Sequence, residues 1–429
     1  MMRIFTTFFK RRLQACCTIA TIACSVLSLM LTVSTACRAQ TTRSFSSDIH
    51  TPQINIAGAW NSLPILSIKG NQRVEISFDD LGEEPQRYYY RIEHCDAHFQ
   101  PTENLFESAY LQATDAAQLL EDYEPSRNTT VNYYHYNFKL PNEDMKMLIS
   151  GNYRITIERD DDERTPIVET YLMVLDAKTS VKASITTNTD IDWNQQHQQL
   201  TIEVEHSKLN LHNPQQQLQC VVLKNRDWKN AVWLSAPAYS TGNSVKWMHT
   251  KELIFKAGNE WRKFENLSTS EASLHTESIG WNPVLNLYEA CLYVDEPRKN
   301  YLFEKDHNGA FYIRNIDGYD NNTESEYINV HFTLNTPQRL NNNIYVTGAW
   351  ATNNNRETYR MLYNAETNAY EANILLKQGY YNYYYYSDTD DIEGNFYETE
   401  NEYTILVYAT QPNMRYTQLV GMGQIKSGK

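Results

Sequence analysis

Four side chains within five residues, His94, Cys95, Asp96 and His98, have the types that bind a transition metal or relay a proton. Imidazole and thiolate ligands at such short spacing are common in zinc sites. On an extended strand successive side chains alternate between faces, so His94, Asp96 and His98 share a face only while the strand continues. Phe99-Gln100-Pro101 marks its end, because proline cannot donate to a sheet ladder. The sequence holds no second His/Cys pair at ligand spacing, so the cluster reads as architecture and no metal is assigned.

Two acidic runs invite a similar question. Asp388-Thr389-Asp390-Asp391-Ile392-Glu393-Gly394 begins like a calcium loop. It departs from that pattern where Ile392 replaces an oxygen donor and Glu393 replaces the glycine of the sharp turn. Asp160-Asp161-Asp162-Glu163 reads as the solvated tip of a hairpin. The phosphate loop, the dinucleotide fingerprint, the Gly-x-Ser-x-Gly elbow and His-Glu-x-x-His are all missing from the sequence. The chain therefore reads as non-enzymatic. No catalytic, metal or cofactor-binding residue is assigned, no cofactor is expected, and the partner-binding residues are unknown at this level.

The elements that carry these side chains are strands. Val74, Ile76 and Phe78 alternate with Arg73, Glu75 and Ser77. Tyr134, Tyr136, Phe138 and Leu140 alternate with His135, Asn137 and Lys139, and Tyr153, Ile155 and Ile157 with Arg154, Thr156 and Glu158. A period of two marks half-buried strands. In the stretch Arg87 to Glu93 the same period predicts Tyr88, Tyr90 and Ile92 inward and Tyr89, Arg91 and Glu93 outward. Only 114–121 reads as a short helix, and 261–281 as a long irregular loop. The predicted fold is all-β: tandem immunoglobulin-like or early-set antiparallel β-sandwiches with few short helices. Expected boundaries are 1–39 for a signal peptide, 46–176 for an N-terminal sandwich, 177–337 for a middle β domain and 338–423 for a C-terminal early-set-like sandwich.

The leader follows from charge and hydropathy. Arg3, Lys10, Arg11 and Arg12 precede an apolar run over about residues 13–33, and Cys37-Arg38-Ala39 supplies small residues at the first and third positions before a cut. Lipoprotein processing at Cys37 and a retained anchor are the alternatives to cleavage after Ala39. No later stretch reaches the ~18–20 apolar residues of a spanning helix. Without Arg3, Lys10, Arg11, Arg12 and Arg38 the 38 basic residues fall to 33 against 52 acidic ones, a net charge of −19. That balance argues against nucleic acid as a partner. Four of seven cysteines leave with the leader. Cys95, Cys220 and Cys291 are too few and too scattered for a disulfide framework and read as small buried side chains.

A series of segments carries a family resemblance. Ser77-Phe78-Asp79-Asp80-Leu81, Tyr88-Tyr89-Tyr90-Arg91-Ile92-Glu93-His94-Cys95-Asp96, Tyr110-Leu111-Gln112, Leu140-Pro141-Asn142-Glu143-Asp144 and Ser150-Gly151-Asn152-Tyr153 follow in that order. The series continues through Gly258-Asn259-Glu260, Asn308-Gly309, Tyr327-Ile328-Asn329-Val330-His331-Phe332 and 393–401. It resembles the plug protein family of the type IX secretion system of Bacteroidetes. The resemblance implies a periplasmic, non-catalytic protein that binds and seals the periplasmic mouth of a giant outer-membrane translocon barrel. It transfers no contact residues. A second resemblance is confined to the third module. Ile344-Tyr345-Val346-Thr347-Gly348-Ala349-Trp350 with the tyrosine-rich 380–386 strand is similar to early-set, starch-binding sandwiches. It implies an alternative reading, a periplasmic glycan-binding protein using Trp350 and those tyrosines, although a fold reused without its sugar site is favoured.

Overall fold

Strands with one apolar face need a second layer to cover it, and the chain supplies that layer three times. The architecture is taken from a computed structural model that describes residues 41–389, 391–411 and 414–428. The expected signal peptide lies outside the described residues. The fold is almost entirely β, in mainly antiparallel sheets that pack as sandwiches, as the two-residue period predicts; a few pairs, such as Leu287–Leu292 with Tyr327–Asn335, are parallel. Among the described residues no helix is long and apolar enough to cross a membrane.

The first sandwich contains β1 (Ile49–Ile56), β2 (Val74–Asp80), β3 (Tyr88–Cys95), the single-turn α1 (Glu107–Tyr110), β4 (Tyr134–Leu140), β5 (Gly151–Arg159) and β6 (Pro166–Leu175). One layer is β1-β2-β4 and the other β3-β5-β6. Phe78 and Tyr136 stack at 5.0 Å on the first layer, and Tyr88 from the second meets both edge-on. Tyr88, Tyr90 and Ile92 are buried while Tyr89, Arg91 and Glu93 are half-exposed, as their alternation predicts. The helix expected at 114–121 is not there. Gln118–Leu120 instead pairs with Tyr88–Tyr90 as an edge strand, so a tertiary ladder overrides a weak local preference.

The second sandwich begins with β7 (Ser180–Thr186), β8 (His197–Glu205), β9 (Leu218–Lys224) and β10 (Ser244–Trp247). The third contains β11 (Arg262–Glu265), β12 (Thr276–Asn282), β13 (Leu287–Leu292), β14 (Phe311–Ile313), β15 (Tyr327–Asn335), β16 (Tyr345–Thr347), β17 (Ala369–Lys377) and β18 (Gly379–Tyr386). The chain then returns: β19 (Glu402–Ala409) and β20 (Gln418–Lys426) complete the second sandwich. β9 pairs with β19 from Leu218↔Ala409 to Lys224↔Tyr403.

This topology corrects the boundary expected at 337/338. Phe264, Ala290, Val330 and Phe332 share one core with Val346, Ile374, Tyr381 and Tyr383. Ile405, Val407 and Val420 share another with Leu200, Val222 and Trp247. The third sandwich is thus inserted into the second. The polar Asn341-Asn342-Asn343 run lies between β15 and β16, inside the third sandwich. The stretch expected to be an irregular loop at 261–281 holds β11 and β12. The alternation of β11 is hidden because Arg262 is one of its inward-facing residues.

Candidate functional site

The residues first suspected of chemistry form a joint between sandwiches. His94 Nδ1 lies 2.8 Å from Thr102 Oγ1 and Nε2 lies 3.4 Å from the Ser150 carbonyl. Burial lowers the imidazole to a pKa of about 4, the Ser150 carbonyl opposing it only in part. Gly151, at φ +142°, makes this fit possible, since a Cβ there would run into the His94 ring. Asp96 Oδ1 accepts the backbone N–H groups of His98 and Gln100, each at 2.9 Å, and so closes the turn that ends β3. His98 turns the other way, onto the Trp233 ring. The three suspected ligands therefore do not converge. Phe99 leaves that turn to sit edge-on against Tyr171 and Trp228, in a core shared with Val221, Leu406 and Tyr408 of the second sandwich. Tyr408 donates to Asn152 Oδ1 at 3.1 Å across the same joint. Cys95 and Cys220 are buried thiols, burial raising both, whereas Cys291 is exposed, against the expectation that all three are buried.

A second joint ties the first sandwich to the third and is ionic. Asp79 on β2 receives Lys377 Nζ from the end of β17 at 2.7 Å, and both side chains are within 2% of complete burial. Tyr327 of β15 donates to the same oxygen at 2.7 Å, and His135 Nδ1 lies 2.7 Å from the other. Burial by itself would raise the Asp79 carboxyl, but Lys377 and His135 outweigh it and hold its pKa at about 2. Burial lowers Lys377, with Asp79 opposing that shift. The ammonium also lies 4.1 Å from the centre of the Tyr133 ring and donates to the Asn322 carbonyl. Beside it, Glu326 Oε2 accepts the backbone N–H of Thr130 at 2.5 Å and its hydroxyl at 2.8 Å. Asp79 and Lys377 are 298 positions apart, and no local sequence signal connects them.

A third knot lies inside the inserted sandwich. Arg262 donates to Asp295 at 2.6 Å and to Glu393 at 3.1 Å, Arg298 donates to Glu393, and the hydroxyls of Tyr383 and Tyr385 donate to Asp295. Burial would lower the Arg262 guanidinium, but Glu393 and Asp295 raise it instead. The calcium-like run is explained here, since Glu393 is an anchor for two arginines; Asp390 lies outside the described residues. At the other acidic run, Asp160 faces Arg87 and Arg164, and Asp161 accepts the Thr165 N–H.

The sugar platform expected at Trp350 is not on the surface. Trp350 is 5% exposed, stacks on Phe332 and donates its indole N–H to the Asn382 carbonyl at 2.9 Å. Gly348 keeps that indole in place, because a Cβ would collide with it. Tyr381, Tyr383 and Tyr385 fill the same core, while Tyr380, Tyr384 and Tyr386 stand half-buried on the far face of β18.

Exposed apolar side chains gather on the β12–β13 hairpin, a feature the sequence pattern did not signal. Trp281, Val284 and Leu285 occupy its tip, with Val284 88% exposed, and Tyr293 and Val294 follow at its base. Among the described residues β12 pairs only with β13, so its outer edge is open. An open edge with exposed apolar side chains marks a surface suited to a partner.

The sequence matches the family described as Type 9 secretion system plug protein 1st domain over residues 49–176, the span of the first sandwich. No curated protein matches the chain. Among solved structures, a hypothetical protein from Parabacteroides merdae ATCC 43184 is 34% identical with a TM-score of 0.85. That alignment covers 90% of this chain and 99% of the other.

Proposed function

The chain belongs to the type IX secretion system plug protein family, and on that basis we propose that it closes the periplasmic mouth of the system's giant outer-membrane barrel. Its role in type IX secretion follows from the family, and so does interaction with a component of that system. The finer reading is that the protein sits in the periplasm, occupies the barrel's mouth while the barrel is not engaged with its other partner, and catalyses nothing.

The observation that carries this reading is the bracing between sandwiches. A stopper must resist deformation, and an aromatic core at one joint and a buried ion pair at the other brace the sandwiches without any chemical centre. A stopper also needs a specific contact, for which an interface of at least ~1,000 Å² is the usual scale. We assign part of that contact to the β12–β13 hairpin, whose Trp281 and Val284 project as apolar anchors while Glu289 and His331 pair beside them.

The test is affinity purification from detergent-solubilised membranes, read by mass spectrometry, together with deletion of the gene. Co-purification of a giant outer-membrane barrel, and leakage of deletion cells to large polar antibiotics, is the expected result. A Trp281→Ser/Val284→Asp variant should fold normally yet recover far less barrel. Intact membranes in the deletion strain and no barrel in the eluate would sink the proposal.

A further inference from the structure

We infer that the junction of the three sandwiches is a binding site for a short uncharged oligosaccharide, in a groove divided by Trp261 and Tyr384. This goes beyond the plugging role and does not depend on it. A hollow of about 290 Å³ opens there and one of about 520 Å³ lies beside it between the second and third sandwiches, and Asn225, Asp227, Trp261 and Tyr384 line both. The larger falls within the ~300–1,000 Å³ typical of small-molecule sites.

The aromatic wall is held in position. Trp261 and Tyr384 meet at 78° with ring centroids 4.5 Å apart. Gly309, at φ +87°, lies against the indole, where a Cβ would come within 2.7 Å of it. Trp60 adds a third ring to the smaller hollow and is itself braced by His307 and Tyr312. Aromatic faces of this kind suit the C–H faces of a pyranose ring.

The polar tips of the same residues are unused. Among the described residues, neither the indole N–H of Trp60 or Trp261 nor the Tyr384 hydroxyl has a hydrogen-bond partner, and none of the three is sealed from solvent. Buried Trp and Tyr ordinarily satisfy these groups within the protein, as Trp350, Tyr383 and Tyr385 do here. Three rings with open donors around one groove match a ligand that presents both apolar ring faces and hydroxyl acceptors. Asp227 on the shared wall accepts from the Lys229 N–H and the Asn230 amide, and cations that line the hollows are engaged within the protein, Arg226 with Glu402, Arg298 with Glu393 and Lys224 with the Lys256 and Ala257 carbonyls, a balance that suits an uncharged ligand.

Of the platform expected from sequence, Trp350 is closed inside the core and only Tyr384 of the 380–386 strand lines both hollows, with Trp261 and Trp60 supplied by segments that expectation did not include. The site is also lined by different residues from the hairpin assigned to the barrel. The experiment is calorimetric titration of the mature chain, residues 40–429, with trisaccharides of glucose and of N-acetylglucosamine, alongside tryptophan fluorescence. At least one trisaccharide should bind with Kd below about 1 mM. Tyr384→Phe, which keeps the ring, should weaken binding about fivefold by removing one hydrogen bond. Trp261→Leu should weaken it at least about tenfold through loss of the stacking face. Trp281→Ser should leave it unchanged, so failure here is distinguishable from failure of the plugging reading. Silence of both trisaccharides at about 5 mM would overturn the inference, as would unchanged affinity in folded Tyr384→Phe and Trp261→Leu. Capture of an aromatic-bearing peptide in the groove while both sugars stay silent would overturn it too.

Discussion

Replacing Lys377 with methionine tests the central joint most directly. The change keeps an unbranched apolar stem of similar reach and removes only the ammonium, so Asp79 is left ionised at 2% side-chain exposure. Breaking a buried pair from one side costs about 3–5 kcal/mol, because the remaining charge is desolvated without compensation. Two hydrogen bonds to Asp79 survive, from Tyr327 and from His135, which puts the expected loss at the lower end, about 3 kcal/mol. Urea unfolding followed by far-ultraviolet circular dichroism gives the stability change. The double variant Asp79→Asn/Lys377→Met removes both charges together and should recover at least ~1 kcal/mol of the loss, a coupling read from the double-mutant cycle. A Lys377→Met loss below about 1 kcal/mol, or strict additivity in the cycle, would refute the assignment of the pair as a brace.

The same carboxylate gives a pH signature. Asp79 is held at about 2 against an ordinary 3.8, so folding favours its ionised form. A depressed carboxyl contributes stability that is complete above the unfolded value and is lost as pH falls through the folded one. The window is therefore pH 4 down to 2, and the depressed carboxyl corresponds to about 2 kcal/mol. Wild-type stability should fall across that window by more than that of Asp79→Asn. Parallel curves for the two proteins would show that other carboxylates carry the acid sensitivity.

Arg262→Met should leave Asp295 and Glu393 facing each other within one core and destabilise the protein by about 3 kcal/mol, with Arg262→Lys recovering only part; thermal unfolding measures both. A chain truncated after residue 400 lacks β19 and β20, which supply half of one sheet of the second sandwich. It should lose cooperative unfolding of the whole chain, whereas an isolated 338–423 fragment should not fold at all, as amide exchange would reveal. Gly151→Ala puts a Cβ against the His94 imidazole at a backbone angle that alanine rarely adopts, and should cost about 2–4 kcal/mol by urea unfolding.

What the sequence revealed and what it hid divide along one physical line. A strand's period is local, so the alternation of Tyr88, Tyr90 and Ile92, and with it the all-β class, is legible without any knowledge of partners. Pairing is not local. Nothing in Leu218–Lys224 announces that its neighbour is Glu402–Ala409, so a boundary at 337/338 cuts through one core and hides the return of the chain to another. Charge hides in the same manner. Arg262 and Asp79 are side-chain types that ordinarily face solvent, until partners from distant segments neutralise them. Aromatic residues carry the converse ambiguity: Trp350 and Trp261 have the same chemistry, but one indole N–H is satisfied in a core and the other opens onto a groove. For the His-Cys-Asp-x-His cluster, the decisive fact is where each side chain goes after β3 ends. Asp96 closes the turn, His94 seats against Gly151, and Phe99 enters the core of the next sandwich. The segment that most resembles a catalytic centre is the hinge pin of the braced body, and this explains why it combines small, polar and aromatic residues that a metal site would not need.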